Sequence, residues 1–175
     1  FRTELQRLAE GIDQSEFEIT EYDTCESVYA KVGQSNAEMI CALLARLKSG
    51  DRPKGRPQPD CDEDVLPRRR PKDGCIDWQK PAAEIYDFVR ALTHPYPGAF
   101  TYLMGKKVYI WSCVKLPVSL PASKCAPGRI LGPVKSPVPE ACGQLVGCGR
   151  GMLVVTAMQF EGEEMCCGRA LSERT

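Results

Sequence analysis

The chain has 175 residues, 43% hydrophobic and 26% charged, with 23 basic and 23 acidic side chains and no formal net charge. That length suits one domain, or one domain with part of another, and the composition is that of a folded chain rather than a disordered or collagenous one. The longest apolar run, around Met152 to Val155, is far too short to cross a bilayer, so no transmembrane helix and no membrane partner are expected.

The first residue is Phe1, and no signal-peptide pattern follows it. The chain therefore reads as the C-terminal part of something longer. "EFEIT", residues 16–20, alternates Phe17 and Ile19 with Glu16 and Glu18, which predicts a short strand. From Asp23 to Lys48 one amphipathic helix is expected. Asp23 and Glu26 fit a capping box, and Val28, Val32, Ile40, Leu43, Leu44 and Leu47 form the apolar stripe. Gly50 supplies the stop, and Gly33 invites a bend, since glycine costs roughly 1 kcal/mol against alanine inside a helix. A strand feeding a long helix is an α/β fragment.

Residues 51–78 change character. Pro53, Pro57, Pro59, Pro67 and Pro71 punctuate a charged stretch, as in a linker or a strap lying along a surface. Arg68, Arg69 and Arg70 suit a phosphate, but Asp60, Asp62, Glu63 and Asp64 balance them, so a solvated basic run is the expectation. A second helix should run from Pro81 to Leu92, with proline at its first position and Ile85, Phe88, Val89 and Leu92 on one face. It ends in "THPYPG". Two prolines one residue apart cannot continue a helix, and Gly98 permits a positive φ, so residues 93–98 make a rigid corner.

Beyond the corner the pattern turns to strands. "AFTYLM" and "KVYIWS" flank Gly105 as a hairpin, and "GRILG", "GQLVGC" and "MLVVTAMQF" follow. Five short strands within residues 99–175 predict a small β-barrel of the five-stranded, partly open kind. Residues 99–175 carry 9 basic against 5 acidic side chains, whereas residues 1–98 carry 14 against 18. This mild basic excess suits an anionic partner or merely a solvated surface. The 10 cysteines contain no C-x-x-C spacing, and His94 is the only histidine, so no metal site is expected. Mostly buried, reduced thiols in a cytoplasmic protein are the reading.

The residues then become specific. "LPRRRPKDGCIDWQKPAAEIYDFVRALTHPYPGAFTYLMGKKVYIWSC", Leu66 to Cys113, resembles the interdomain strap and the start of the C-terminal domain of 10-formyltetrahydrofolate-dependent formyltransferases. "GCGRGMLVVTAMQFEGEEM" resembles the closing strands of that domain. "ITEYDTCESVYAKV" resembles the last strand and helix of the catalytic domain. The resemblance implies a Rossmann-like catalytic fragment over residues 1–50, a Pro-rich strap over 51–78, a linker helix and corner over 79–98, and an OB-like C-terminal domain over 99–175. It also implies formyl transfer from 10-formyltetrahydrofolate to a primary amine, of a nucleotide-linked amino sugar or of methionyl-tRNA. The donor would be bound mainly by a part outside this chain.

In the family an Asn, a His and an Asp carry the chemistry. The Asn and His lie upstream of this sequence, so the chain alone is expected to be inactive. His94 is placed in the corner, capping the second helix. Asp13, after Ile12, is the candidate catalytic carboxylate. Its surroundings depart from the family pattern: Gln14-Ser15 stands where x-Gly is expected, and Glu4 and Gln6 replace the usual Thr and frequent His. About six residues are missing before the next strand, in a loop of the kind that varies in length. The alternative function is a non-catalytic OB-like module binding RNA or a protein through Tyr102, Tyr109, Trp111, Lys106 and Lys107. Against it, alternation would bury some of those aromatics.

Overall fold

The computed structural model describes residues 2–7, 10–57, 68–116 and 126–173. The chain divides into two compact units, Phe1–Arg68 and Arg69–Thr175.

In the first unit, β1 (Arg2–Arg7) pairs antiparallel with β2 (Glu10–Glu16), and β2 with the two-residue β3 (Arg56–Pro57). Helix α1 (Cys25–Lys48) packs on β1 and β2. The strand expected over 16–20 is displaced: β2 ends at Glu16, and Phe17 to Thr20 are in no strand. The reason is local. The Asp23 carboxylate accepts the Thr20 amide at 2.8 Å, and the Asp23 amide donates to the Thr20 carbonyl, which closes a turn and withdraws Thr20 from any ladder.

Asp23 was expected as the helix cap, but the cap is Thr24. Its hydroxyl accepts from the Ser27 amide while Ser27 Oγ accepts from the Thr24 amide, a capping box closed by serine rather than by Glu26. Asp23 lies just outside, nearly buried, receiving Ser27 Oγ at 2.7 Å and Lys31 Nζ at 2.7 Å. The Lys31 contact, then the Thr20 amide, hold its carboxyl well below the ordinary carboxylate range. Gly33 produces no break, since α1 is continuous across it.

In the second unit, Cys75 and Ile76 lie along β4. A 3-10 turn (Pro71–Gly74) is pinned by the Arg70 amide donating to Asp73. Cys75 then bridges Phe100, and the Ile76 amide donates to the Phe100 carbonyl at 2.8 Å. Trp78 Nε1 donates to Thr101 Oγ1 at 3.0 Å. The polypeptide crosses to Arg150, whose carbonyl accepts the Ala82 amide, and enters α2 (Ala82–Leu92), with Pro81 as the N-cap rather than the first helical residue.

Helix α2 buries Ile85 and Val89 against the sheet, as its periodicity predicts. Strands β4 (Ala99–Leu103) and β5 (Lys106–Lys115) form a hairpin with a two-residue turn. Met104 and Gly105 have φ of 50° and 78°, the double positive-φ signature of a tight hairpin turn.

Three further strands, β6 (Ile130–Val134), β7 (Gly143–Gly147) and β8 (Met152–Phe160), complete an antiparallel ladder in the order β4-β5-β8-β7-β6. A two-residue β9 (Cys166–Cys167) adds to β8, and α3 (Gly168–Ser172) closes the unit. All five strands expected from the sequence are present. The unit is a small α/β domain with an antiparallel sheet, and among the described residues the ladder stays open, because no pairing joins β4 to β6. Its core is one cluster: Ile76, Ile85, Val89, Val108, Ile110, Val146, Leu153, Val155 and Leu171. The thiols are less buried than expected. Cys113, Cys142 and Cys148 are enclosed, whereas Cys41, Cys75 and Cys167 are exposed, and Cys61 and Cys125 lie outside the described residues.

Candidate functional site

The register of the hairpin decides which side chains share a face. Val108 and Ile110 point into the core, so Lys107, Tyr109 and Trp111 point outward from β5. On β4, Phe100 lies opposite Tyr109 and Tyr102 opposite Lys107; on β8, Gln159 lies opposite Tyr109. The outer face therefore gathers Phe100, Tyr102, Lys107, Tyr109, Trp111 and Gln159. Lys106 has the other parity and sits above the Phe160 ring, 6.0 Å from its centroid.

The corner delivers His94 to this face. The Gly98 amide donates to the Leu92 carbonyl and the Tyr96 amide to the Thr93 carbonyl, which folds residues 93–98 back over the helix end. The His94–Pro95 peptide is cis, and Gly98 has φ +89°. A Cβ at Gly98 would lie 2.9 Å from two ring carbons of Trp111, so this corner needs glycine for its backbone and for its space. His94 stacks on Trp111 with centroids 4.1 Å apart and rings 9° from parallel. That is its position, rather than the helix cap expected from sequence.

The stack continues. Tyr109 stands 5.8 Å beyond Trp111 at 20°, and Lys107 Nζ lies 4.6 Å from the Tyr109 centroid and 4.5 Å from that of Phe100. Polar contacts fix the Trp111, Tyr109 and Lys107 rungs. Trp111 Nε1 donates to Gln159 Oε1 at 3.0 Å, and Gln159 Nε2 donates to the Glu163 carbonyl at 2.8 Å. Lys107 Nζ donates to Tyr109 Oη at 2.9 Å, which raises the Lys107 pKa, and Glu161 lies 3.7 Å from the same ammonium. Each aromatic pair contributes about 0.5–1.5 kcal/mol beyond area burial.

The chemical consequence is a restriction. In the order His94, Trp111, Tyr109, Lys107, Trp111 and Tyr109 lie between neighbours and offer edges rather than open faces to a nucleobase, whereas His94 ends the stack and is exposed. Of the aromatics on β4 and β5, Tyr102 is the most exposed, at 62%. Sequence reasoning named Tyr102, Tyr109 and Trp111 but missed Phe100, His94 and Gln159 as parts of the face. Extending strict alternation from Val108 and Ile110 to the paired strands would have found Phe100 and Gln159. The approach of His94 depends on the corner geometry and carries no sequence signal.

The remaining candidates lie elsewhere. Asp13 is on β2, exposed, opposite Leu5 of β1, and its carboxylate accepts the Gln14 amide at 2.9 Å. It is therefore a strand residue, whereas its surroundings suggested a loop. In the arginine run, Arg69 lies 5.6 Å from the Phe88 centroid, a cation–π position, and Arg68 and Arg70 are exposed. The glycine-rich stretch 147–151 is not a phosphate cradle, because the amides of Gly147, Cys148 and Gly149 donate to Arg129, Gly151 and Trp78 carbonyls. No group of three or more His, Cys, Asp or Glu side chains suited to a metal occurs among the described residues, and no described helix is long and apolar enough to cross a membrane.

Comparison with known proteins supplies what the geometry alone does not. The family model described as "Formyl transferase, C-terminal domain" matches residues 69–174, most of the second unit. Among solved structures, a multiply substituted HypX from Aquifex aeolicus superposes with a TM-score of 0.68 at 20% identity, over 90% of this chain and 26% of that one. HypX from the same organism in complex with tetrahydrofolic acid gives a TM-score of 0.67 at 18% identity over the same shares. Methionyl-tRNA formyltransferase from Clostridium thermocellum aligns over 60% of this chain and 44% of that chain, with a TM-score of 0.48 and 20% identity. This chain spans about a quarter of the HypX chains it matches.

Proposed function

The chain belongs to the formyl transferase C-terminal domain family through residues 69–174, and from that premise we propose that it serves as the C-terminal part of an enzyme that transfers a formyl group. The donor in this reading is 10-formyltetrahydrofolate. The acceptor is a primary amine, of a nucleotide-linked amino sugar or of methionyl-tRNA. The single observation that carries the proposal is the family match across the second unit. The tetrahydrofolate complex of HypX, which shares the fold, suits a folate-derived donor.

Within this reading the first unit is the end of a Rossmann-like catalytic domain, and the second is the OB-like, partly open C-terminal domain beyond a Pro-rich strap. Formyl transfer needs donors at the tetrahedral oxyanion and a group that takes up the amine proton. Asp13 is the carboxylate proposed for the proton. In this reading the second unit contributes binding or orientation of the acceptor rather than chemistry; the polar groups of Lys107, Tyr109, Trp111 and Gln159 on its outer face are engaged with one another. The stacking of Trp111 and Tyr109 between neighbours also weighs against those two rings serving a stand-alone single-strand RNA module, because stacking by bases needs open ring faces.

Sequencing the reading frame upstream of Phe1 tests the proposal. An in-frame Rossmann-like domain with an Asn-x-His strand is expected. An initiation codon at this boundary overturns it.

A further inference from the structure

The aromatic column on the outer face of the second unit has one open end. Trp111 and Tyr109 each lie between neighbours, and the Lys107 ammonium closes the row beyond Tyr109. His94 ends the row on the other side. Its imidazole rests on Trp111 with centroids 4.1 Å apart and rings 9° from parallel, and the residue is exposed. A flat ring laid on its second face would continue the column in the same orientation.

The platform is fixed before any ligand arrives. The Trp111 indole is tethered to Gln159, and Gln159 to the Glu163 carbonyl. The bonds from the Gly98 amide to Leu92 and from the Tyr96 amide to Thr93 hold the corner on both sides of His94. A ring held in advance loses little conformational freedom when another stacks on it.

The surroundings select the kind of ring. The strap passes beside the corner: a Cβ on Gly74 would lie 2.9 Å from the Gly98 carbonyl oxygen and 3.5 Å from a Phe100 ring carbon. The 3-10 turn that ends at Gly74 carries Lys72, and Arg70 precedes it, both exposed. Chain geometry keeps their Cα atoms within about 7 and about 14 Å of Gly74. The carboxylate of that turn, Asp73, accepts the Arg70 amide at 2.7 Å, which keeps it on the turn's own backbone. An aromatic platform beside two cations suits a base that carries phosphate. One open ring takes one base, whereas a strand is held by several rings in succession. We propose that His94 is the stacking platform of a binding site for a free nucleotide, with Arg70 and Lys72 attracting its phosphates. The site goes beyond formyl transfer and does not depend on it.

His94 is the only histidine of the chain, so its imidazole protons report on the site without assignment by mutation. Titrating the 175-residue chain with adenosine diphosphate should move these signals upfield to saturation, with a dissociation constant on the order of 1 mM. Followed through the adenine protons, His94→Ala should weaken binding at least about 5-fold, and His94→Phe, which keeps a flat ring, should retain it. Arg70→Ala together with Lys72→Ala should weaken adenosine diphosphate at least about 5-fold and leave adenosine unaffected. Circular dichroism checks that each variant is folded. No shift at about 10 mM overturns the proposal. So do pyrophosphate bound as tightly as adenosine diphosphate, a folded His94→Ala that binds as well as the parent, and a folded His94→Phe that does not bind. Loss of nucleotide binding in a protein extended through the upstream reading frame overturns it as well. A six-residue adenylate strand bound more than about 10-fold tighter overturns it in favour of RNA.

Discussion

Replacing Gly98 by alanine tests how the corner holds the aromatic stack. Two costs are separable in the structure. With φ at +89°, an L-residue is forced into the left-handed region, at about 1–2 kcal/mol. The new methyl would also sit 2.9 Å from Trp111 carbons and 3.3 Å from a Tyr109 ring carbon, so the stack must shift, and overpacking of this kind costs about 1–3 kcal/mol. The sum is about 2–5 kcal/mol, a large part of the stability of a small domain. Urea unfolding followed by circular dichroism measures the loss. Trp111 emission in a Trp78→Phe background reports whether the His94 contact has moved. Destabilisation below about 1 kcal/mol with unchanged emission would refute the reasoning, because it would show that neither the backbone nor the ring packing depends on glycine.

Other positions give sharper single readings. Met104→Asn should stabilise the second unit by about 0.5–1 kcal/mol in thermal melts, since asparagine accepts the positive φ of 50° that methionine resists. Gly149→Ala should leave little folded protein, because its Cβ would collide with the Gln79 carbonyl, a backbone atom held by the strap; expression and circular dichroism decide this. In the native state iodoacetamide at pH 8 should label Cys41, Cys75 and Cys167 and spare Cys113 and Cys148, whose thiols burial pushes up to about 12 and about 11. Asp23 is depressed from 3.8 in the folded chain, so its contribution is complete above that value and is lost as pH falls through and below it. Helix content followed in urea between pH 2 and 6 should fall at the acid end, and Asp23→Asn should flatten that dependence.

Much of the second unit was legible in sequence because its signals are local. The periodicity of Ile85 and Val89 fixed α2, and alternation on either side of Gly105 fixed the β4–β5 hairpin, with Met104 belonging to the turn rather than to the strand. The first unit was less legible at its edges. Phe17 and Ile19 alternate like a strand, but Asp23 captures the Thr20 backbone, a contact that hydrophobic pattern does not report. The cap was misplaced by one residue because Glu26 advertised a capping box that Ser27 closes instead. Ring stacking was invisible for a different reason: His94 reaches Trp111 only through the fold of residues 93–98, and no spacing rule connects positions 94 and 111. Asp13 was recognised by likeness to a family pattern, and its location on β2 adds, among the described residues, a position and a contact with the neighbouring amide.

The central claim, that this chain orients an acceptor for chemistry carried largely elsewhere, is tested most directly by formyl transfer from 10-formyltetrahydrofolate to an amine acceptor. The assay compares the 175-residue chain with a protein extended through the upstream reading frame. Turnover by the extended protein, its loss on Asp13→Asn, and none from the chain alone is the predicted outcome. Formyl transfer by the isolated chain would contradict it.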